Sequence, residues 1–368
     1  MSGVVYGSPI IIVSYRTPGD VAACLSSLDA LAGAAAASVH ICENGGAAAW
    51  DALHAVLLNA GGPCVSGEQC PSPIPQAFVR VAGLRLRRSG RLVFIAEALE
   101  NFGYSGGINA WLAPLMRLSE WPGCWILNPD TLVAPSALSA LEQCARDRDL
   151  GVVGSRLMAN GEERLVQCRG LRWRSILASV LAVGRNDAAL VEPAPDAIEA
   201  LLHSPSGASC YFTRPCIEAI FPLDERYFLF FEDLDWGVRA RRAGFRIGHA
   251  HASVVIDQGG TSAGGGRSTG SVGSPLSIYL GFRNRLLFVE AHHRRWLWWT
   301  ALMGCLHALR LSLRDRAAVQ PAFHGLLAGL RGETGRPDRL VARHRLPDAP
   351  SSRAQIDAPA TSEASSAP

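Results

Sequence analysis

A fourfold repetition constrains this chain more than any other feature. Within residues 10–146 a short apolar run ends in a polar or glycine-rich cluster and gives way to a helical pattern, four times over. The first run, Ile10–Ser14, opens into Tyr15-Arg16-Thr17-Pro18, and residues 20–31 then place Val21, Cys24, Leu25 and Leu28 at helical spacing. Residues 39–42 make the second run, followed by Glu43-Asn44-Gly45-Gly46 and an Ala-rich helical stretch over 47–59. Residues 92–96 make the third, with a polar, glycine-rich cluster over 101–109 and a helix over 108–118. Residues 124–127 make the fourth, ending at Asn128-Pro129-Asp130 before a helix that starts at Pro135. Strands separated by helices predict a parallel sheet with right-handed crossovers. In open α/β sheets ligands sit beyond the carboxyl ends of the strands. One glycine-rich turn says little, but four polar clusters on one sheet edge point to a nucleotide-binding α/β architecture.

The rest of the chain is less regular. Residues 61–90 interrupt the alternation with Pro, Gly and then Arg80, Arg85, Arg87 and Arg88, which reads as an insertion on the rim of the sheet or as an acceptor- or membrane-facing flap. Residues 170–200 show no clear periodicity and are expected to contain a mobile loop. Residues 204–214 read as a strand, 233–243 as a helix stopped by Gly244, and 245–256 as a strand. Residues 259–273 form a Gly/Ser/Thr loop long enough to be a lid, and helical patterns run from 275 to about 330. These boundaries give an α/β domain over 1–274, with a nucleotide-binding half (1–135) and a second half (136–274). A helical region (275–346) and a disordered Ala/Pro/Ser tail (347–368) follow.

Composition narrows the function classes. With 48 % hydrophobic and 18 % charged residues the chain is globular rather than disordered. All 35 basic residues are Arg, yet the net charge of +3 is too small to argue for nucleic acid, so no nucleic-acid partner is expected. The ten cysteines follow no zinc-ligand spacing, and the first apolar run is too short for a secretory signal, so a reduced, cytosolic setting is expected. No apolar stretch reaches the roughly 18 residues of a membrane-spanning helix. A nicotinamide-dependent dehydrogenase would need a Gly-x-Gly-x-x-Gly turn after the first strand, and Tyr15-Arg16-Thr17 stands there instead.

The order and wording of the motifs resemble the rhamnosyltransferase-like branch of the family 2 glycosyltransferases. The matching pieces are residues 11–17, Glu43-Asn44-Gly45, 101–109, 127–133, Gly207-Ala208 and 224–244. The last of these carries Phe231-Glu232-Asp233-Leu234-Asp235 and Arg239-Ala240-Arg241-Arg242-Ala243-Gly244, and the matches together cover residues 9–262. The resemblance implies a GT-A fold, a Rossmann-like mixed sheet flanked by helices with a C-terminal helical appendage. It also implies inverting transfer of a sugar from a nucleotide-diphosphate donor, with dTDP-rhamnose the leading candidate, to a hydroxyl of a lipid-linked or cell-surface glycan.

The same resemblance assigns expected roles. Glu43, standing where the family usually has Asp, accepts hydrogen bonds from the nucleobase or ribose, with a solvated turn as the plainer alternative. Thr17 and Asn44 belong to the same donor site. Asn101 and Asn109 flank a glycine-rich turn over the donor, Gly106 and Gly107 allow close backbone approach to it, and Asn128 follows the fourth strand. Asp130 holds Mg²⁺ or Mn²⁺ against the diphosphate. Asp233 is the catalytic base that takes the acceptor proton, flanked by Glu232, whereas Asp235 pairs with Arg239 one turn on. Where relatives commonly carry a metal-binding His, this chain has Asp257, an oxygen ligand that suits the same metals. His249 and His251 are expected to be structural. Gly207 and Arg283 are candidate acceptor or phosphate contacts.

From Arg283 to Arg345 there are 12 Arg against four acids, and Trp296, Trp298 and Trp299 follow His292, His293, Arg294 and Arg295. That reads as an interfacial anchor placing the protein peripherally at the inner face of the membrane, or as a helix packed on the catalytic domain. The thinned metal motif leaves a second class open, a catalytically silent sugar-nucleotide-binding or scaffold subunit of a polysaccharide assembly complex.

Overall fold

The computed structural model describes residues 7–33, 37–67, 74–118, 121–160, 165–188, 191–259 and 273–337. The described residues up to 336 form one compact unit. Most of the expected lid (260–272) and the whole expected tail (347–368) lie outside the described residues.

The fourfold repetition folds as expected into β1 (Ile10–Ser14), α1 (Pro18–Leu28), β2 (Val39–Glu43) and α2 (Ala47–Leu58). The rim insertion supplies β3 (Cys64–Ser66) and β4 (Phe78–Leu86), after which come β5 (Leu92–Ala98), α3 (Gly103–Leu115), β6 (Gly123–Leu127), β7 (Thr131–Val133) and α4 (Ala137–Asp147). The second half runs β8 (Val152–Ala159), β9 (Val166–Cys168), β10 (Leu171–Arg174), β11 (Ser179–Ala182), α5 (Pro195–Glu199), β12 (Ser209–Thr213), α6 (Arg214–Ile220), α7 (Glu232–Arg242) and β13 (Ile247–Asp257). Three helices follow, α8 (Pro275–His292), α9 (Leu297–Ser312) and α10 (Val319–Leu330).

Among the described residues one mixed sheet has the order β3-β4-β5-β2-β1-β6-β12-β8-β13-β7, with β9 paired to β8. β5, β2, β1 and β6 are parallel neighbours, whereas β12 inserts antiparallel between β6 and β8. The expected α/β architecture, a mixed sheet flanked by helices, is what forms.

The alternation of β1 shows why both faces are covered. Ile10 and Ile12 face Val21, Leu25, Trp50, Leu53 and Leu138, from α1, α2 and α4. Ile11 and Val13 face Ile108, Trp111, Ile217 and Trp236, from α3, α6 and α7. Successive strand side chains point to opposite faces, so a run apolar at every position is buried on both sides.

Two elements differ from expectation. Within 170–200, where periodicity marks no element, β10 and β11 form an antiparallel hairpin, pinned because Trp173 is buried against Phe231 and Phe288. Helix α3 begins at Gly103 rather than 108, so the supposed glycine-rich turn is its first two turns.

Candidate active site

The site begins where β6 ends. The Asn128 backbone N–H donates to the Ala208 carbonyl (3.0 Å), which ties the β6 exit to the loop before β12. The Tyr104 hydroxyl, from the first turn of α3, lies 2.8 Å from Asn128 Oδ1 and 2.8 Å from the Gly207 carbonyl. Asp130 is two residues past Asn128, and its carbonyl accepts the Gln258 N–H at 2.9 Å. In register, Asp257 at the end of β13 stands opposite Thr131. Asn128, Gly207, Glu232, Asp233 and Asp257 therefore line one cleft of about 370 Å³, with Phe230 and Phe231 in its wall. Burial pushes the Tyr104 hydroxyl well above its ordinary pKa, and the charges of Glu232, Asp233 and Asp130 push it further. Two adjacent carboxylates at the start of α7 and a third just past β6 thus act on one phenol.

The N-terminus of α7 is held in an unusual shape. Phe228, Phe230 and Phe231 all have positive φ, of 65°, 73° and 75°. Such backbone costs about 1–3 kcal/mol per residue and persists only where the surroundings over-determine it. Here Asn284 of α8, fully buried, donates its side-chain amide to the carbonyls of Tyr227 (2.9 Å), Leu229 (2.8 Å) and Phe230 (2.9 Å). The turn delivers Glu232 and Asp233 to the cleft. Asp233 Oδ2 accepts the Gly207 N–H at 3.1 Å and Oδ1 accepts the Leu234 N–H at 2.9 Å, so the carboxylate is aimed from both sides. Burial raises its pKa, opposed by those two N–H groups.

Glu232 is pushed up to about 8, by burial first and by the Asp233 charge second. It is therefore largely protonated at neutral pH while the unfolded chain is ionised. A carboxyl whose folded pKa lies above its unfolded value gives stability that is present below the unfolded value and is lost as pH rises toward the folded one. Melting temperature should therefore fall between about pH 4.5 and 8, and Glu232→Gln should flatten that fall. A slope unchanged in the variant would assign it to other groups.

The expected donor residues divide into two groups. Thr17 is buried and its hydroxyl has no hydrogen-bond partner, an orphaned group at the exit of β1 that a ligand could satisfy. Glu43 is bound by its own chain. It is fully buried and accepts from Ser14 Oγ (2.6 Å), Arg16 N (3.1 Å) and Gly45 N (2.7 Å), which fixes the left-handed Arg16 (φ 60°). Asn44 donates to the Gly103 carbonyl and Asn101 accepts the Gly103 N–H, both shaping the entry to α3. Asn109 exchanges hydrogen bonds with both backbone groups of Leu223 and donates to Glu225. Its polar edge is satisfied inside the protein rather than over a donor. A Cβ at Gly107 would lie 2.9 Å from both Val13 methyls, and one at Gly106 2.7 Å from Phe102 Cβ. Those glycines let α3 pack closely; their close approach is to protein.

Arg283 likewise differs from its expected role. Fully buried, it donates to the carbonyls of Gly335, Arg226 and Tyr227 and to Asn284 Oδ1, so its guanidinium is engaged by protein oxygens. The expected Asp235–Arg239 pair is present at 3.6 Å, but the closer partner of Asp235 is His292 at 2.6 Å. His249 and His251 sit against the buried Arg169, which fits a structural role. Burial, and then the Arg169 charge, hold His249 at about 3 and therefore neutral.

Sequence reasoning missed Tyr104 and Asn284. Tyr104 lies inside the 101–109 motif, where the amides and glycines carry the resemblance. Asn284 sits beside Arg283, and nothing local marks it as a three-carbonyl clamp.

Among the described residues no group of three or more His, Cys, Asp or Glu is arranged to hold a metal. The donor set of Asp130 and Asp257 still fits Mg²⁺ or Mn²⁺, because such ions are commonly held by one or two carboxylates plus substrate phosphates. Asp257 is steadied by the Gln167 side chain and by the Gly259 N–H at 2.8 Å.

No protein-family model matches the chain. It is similar to the low-salt glycan biosynthesis hexosyltransferase Agl10 of Haloferax volcanii, at 23 % identity over 251 residues, or 65 % of this chain and 76 % of that protein. Among solved structures it is similar to residues 1–349 of S. aureus TarS, with a TM-score of 0.46 and 10 % identity over 92 % of this chain and 83 % of that one. The mannosyltransferase PcManGT from Pyrobaculum calidifontis, solved with GDP-Man and Mn²⁺, gives a TM-score of 0.49 and 12 % identity over 91 % and 78 %.

Proposed function

We propose that this protein is a GT-A-type glycosyltransferase that moves a hexose from a nucleotide-diphosphate donor onto an acceptor hydroxyl. The observation that carries the reading is the meeting of Asp233, Glu232, Asn128 and Asp257 in one cleft, with Asp130 two residues past Asn128 in the chain. Similarity to a glycan-building hexosyltransferase supports the same class. The motif resemblance to the rhamnosyltransferase-like branch of family 2 makes dTDP-rhamnose the first donor to test and a lipid-linked or cell-surface glycan the acceptor.

In this reading Asp130 and Asp257 would hold Mg²⁺ or Mn²⁺, whose positive charge would stabilise a nucleoside diphosphate leaving group. Thr17 contacts the base or ribose. Asp233, oriented by the Gly207 and Leu234 N–H groups, accepts the proton of the incoming hydroxyl. Attack from the face opposite the leaving group inverts the anomeric carbon. Glu232, mostly neutral, keeps a second negative charge off the site while Asp233 is ionised. Phe230 and Phe231 give the cleft an apolar wall against a sugar ring.

A thermal-shift screen of nucleotide sugars with and without Mn²⁺ tests the donor side. A ligand at about 100 times its Kd stabilises the native state by about 2.7 kcal/mol, so the true donor should raise the melting temperature by several degrees only when the metal is added. No shift with any nucleotide sugar would overturn the proposal.

A further inference from the structure

Helix α9 turns its apolar side outward. Trp298 is 77 % exposed and Leu313, at the C-cap, 84 %, with Leu302 and Leu306 also exposed between them. These positions recur at helical spacing on one face, while the opposite side buries Thr300, Gly304 and Ala308. A helix on a soluble protein ordinarily shows its polar face to water, and a contiguous exposed apolar face marks a contact surface. A second element extends it: the Trp299 indole N–H donates to the Ile176 carbonyl at 2.8 Å, tying the β10–β11 turn, with Ile176 exposed, beside the start of α9.

Charge decides what covers this face. Exposed Arg294 and Arg295 precede α9, and exposed Arg310, Arg314 and Arg316 stand at its end. The acid of that stretch, Asp315, is occupied in capping the Ala317 N–H. A second copy of the chain laid on the same face would bring arginine ends against arginine ends or over apolar side chains. No helix among the described residues is long and apolar enough to cross a membrane. We propose that α9 and the β10–β11 turn lie flat on a bilayer rich in anionic lipid, Trp298, Leu302, Leu306 and Leu313 entering the acyl boundary and the arginines meeting headgroup phosphates. The inference deepens the membrane-facing acceptor of the proposed function and rests on that reading for its purpose, though not for its chemistry.

Flotation of the full chain with vesicles tests it. The protein should float with phosphatidylcholine vesicles containing about 30 % phosphatidylglycerol, and at least about tenfold less with pure phosphatidylcholine or in about 0.5 M salt. The double variant Leu302→Glu, Leu313→Glu, altered only at exposed positions, should stay in the pellet fraction while its nucleotide-sugar thermal shift matches wild type. Vesicle binding that survives the double variant, or is absent in wild type, overturns the inference. So does a wild-type dimer that ignores vesicles and becomes monomeric in the variant. A failed thermal shift with intact flotation would instead count against the donor reading alone.

Discussion

Replacement of Asp233 by Asn should lower kcat for sugar transfer by about 10²–10⁴-fold, the range a positioned general base supplies, with donor affinity nearly unchanged. The side chain keeps its size, and its remaining oxygen can still accept one of the two N–H groups now aimed at it, from Gly207 and Leu234. The other N–H faces the new amide, which costs about 1–3 kcal/mol for a buried donor left unmet, so a lower melting temperature accompanies the loss. Donor binding separates the two effects. Steady-state turnover with equilibrium binding of the nucleotide sugar would show kcat falling and Kd holding. Wild-type turnover by the Asp233→Asn enzyme would remove Asp233 from the chemistry.

The second large effect is expected at a residue outside the cleft lining. Asn284→Ala removes the amide that holds the carbonyls of Tyr227, Leu229 and Phe230, and leaves them buried without that donor. Loss of such a buried network should cost about 2–4 kcal/mol of stability. The three left-handed phenylalanines are then free to relax, and Asp233 moves with them. Displacement of a reacting group by about 1 Å costs about 10²-fold in rate. Asn284 touches no substrate in this reading; it is a positioning residue, so kcat should fall while KM for the donor changes little. A destabilised variant retaining wild-type kcat well below its melting temperature would show that the clamp serves stability alone.

The fold is largely legible in the sequence because its signal is local. Strand β1 is apolar from Ile10 to Val13 and each crossover helix has its own period, so most expected boundaries fall within a few residues over the first half. Helix α3 starts earlier than the sequence suggests because Gly106 and Gly107 look like a turn; they are helical because only glycine fits against Phe102 and Val13, a constraint set by residues about ninety positions away in the case of Val13. The hairpin β10–β11 is invisible to periodicity for a similar reason, since what orders it is Trp173 against Phe231 and Phe288.

The site is legible in part. Carboxylates at strand and helix ends announce themselves by position, and Asp233 and Asp257 do meet in the cleft. Glu43, Asn109 and Arg283 are not decided by sequence, because a polar residue in a motif looks the same whether it serves a ligand or another segment of the chain. Only partners distinguish the cases. Glu43 is satisfied by Ser14, Arg16 and Gly45, Asn109 by Leu223 and Glu225, and Arg283 by the loop leading into α7. These residues build the cleft rather than occupy it.

Calorimetric titration of nucleoside diphosphates into wild type and Asp130→Asn, each with and without Mn²⁺, tests the central claim most directly. Wild type should bind one nucleoside diphosphate at least about tenfold more tightly when Mn²⁺ is present, a coupling of about 1.4 kcal/mol, and Asp130→Asn should lose that enhancement while keeping the weaker metal-free binding. Equal Mn²⁺ enhancement in both proteins, or binding of no nucleotide at all, would contradict a diphosphate and cation gathered at the end of β6.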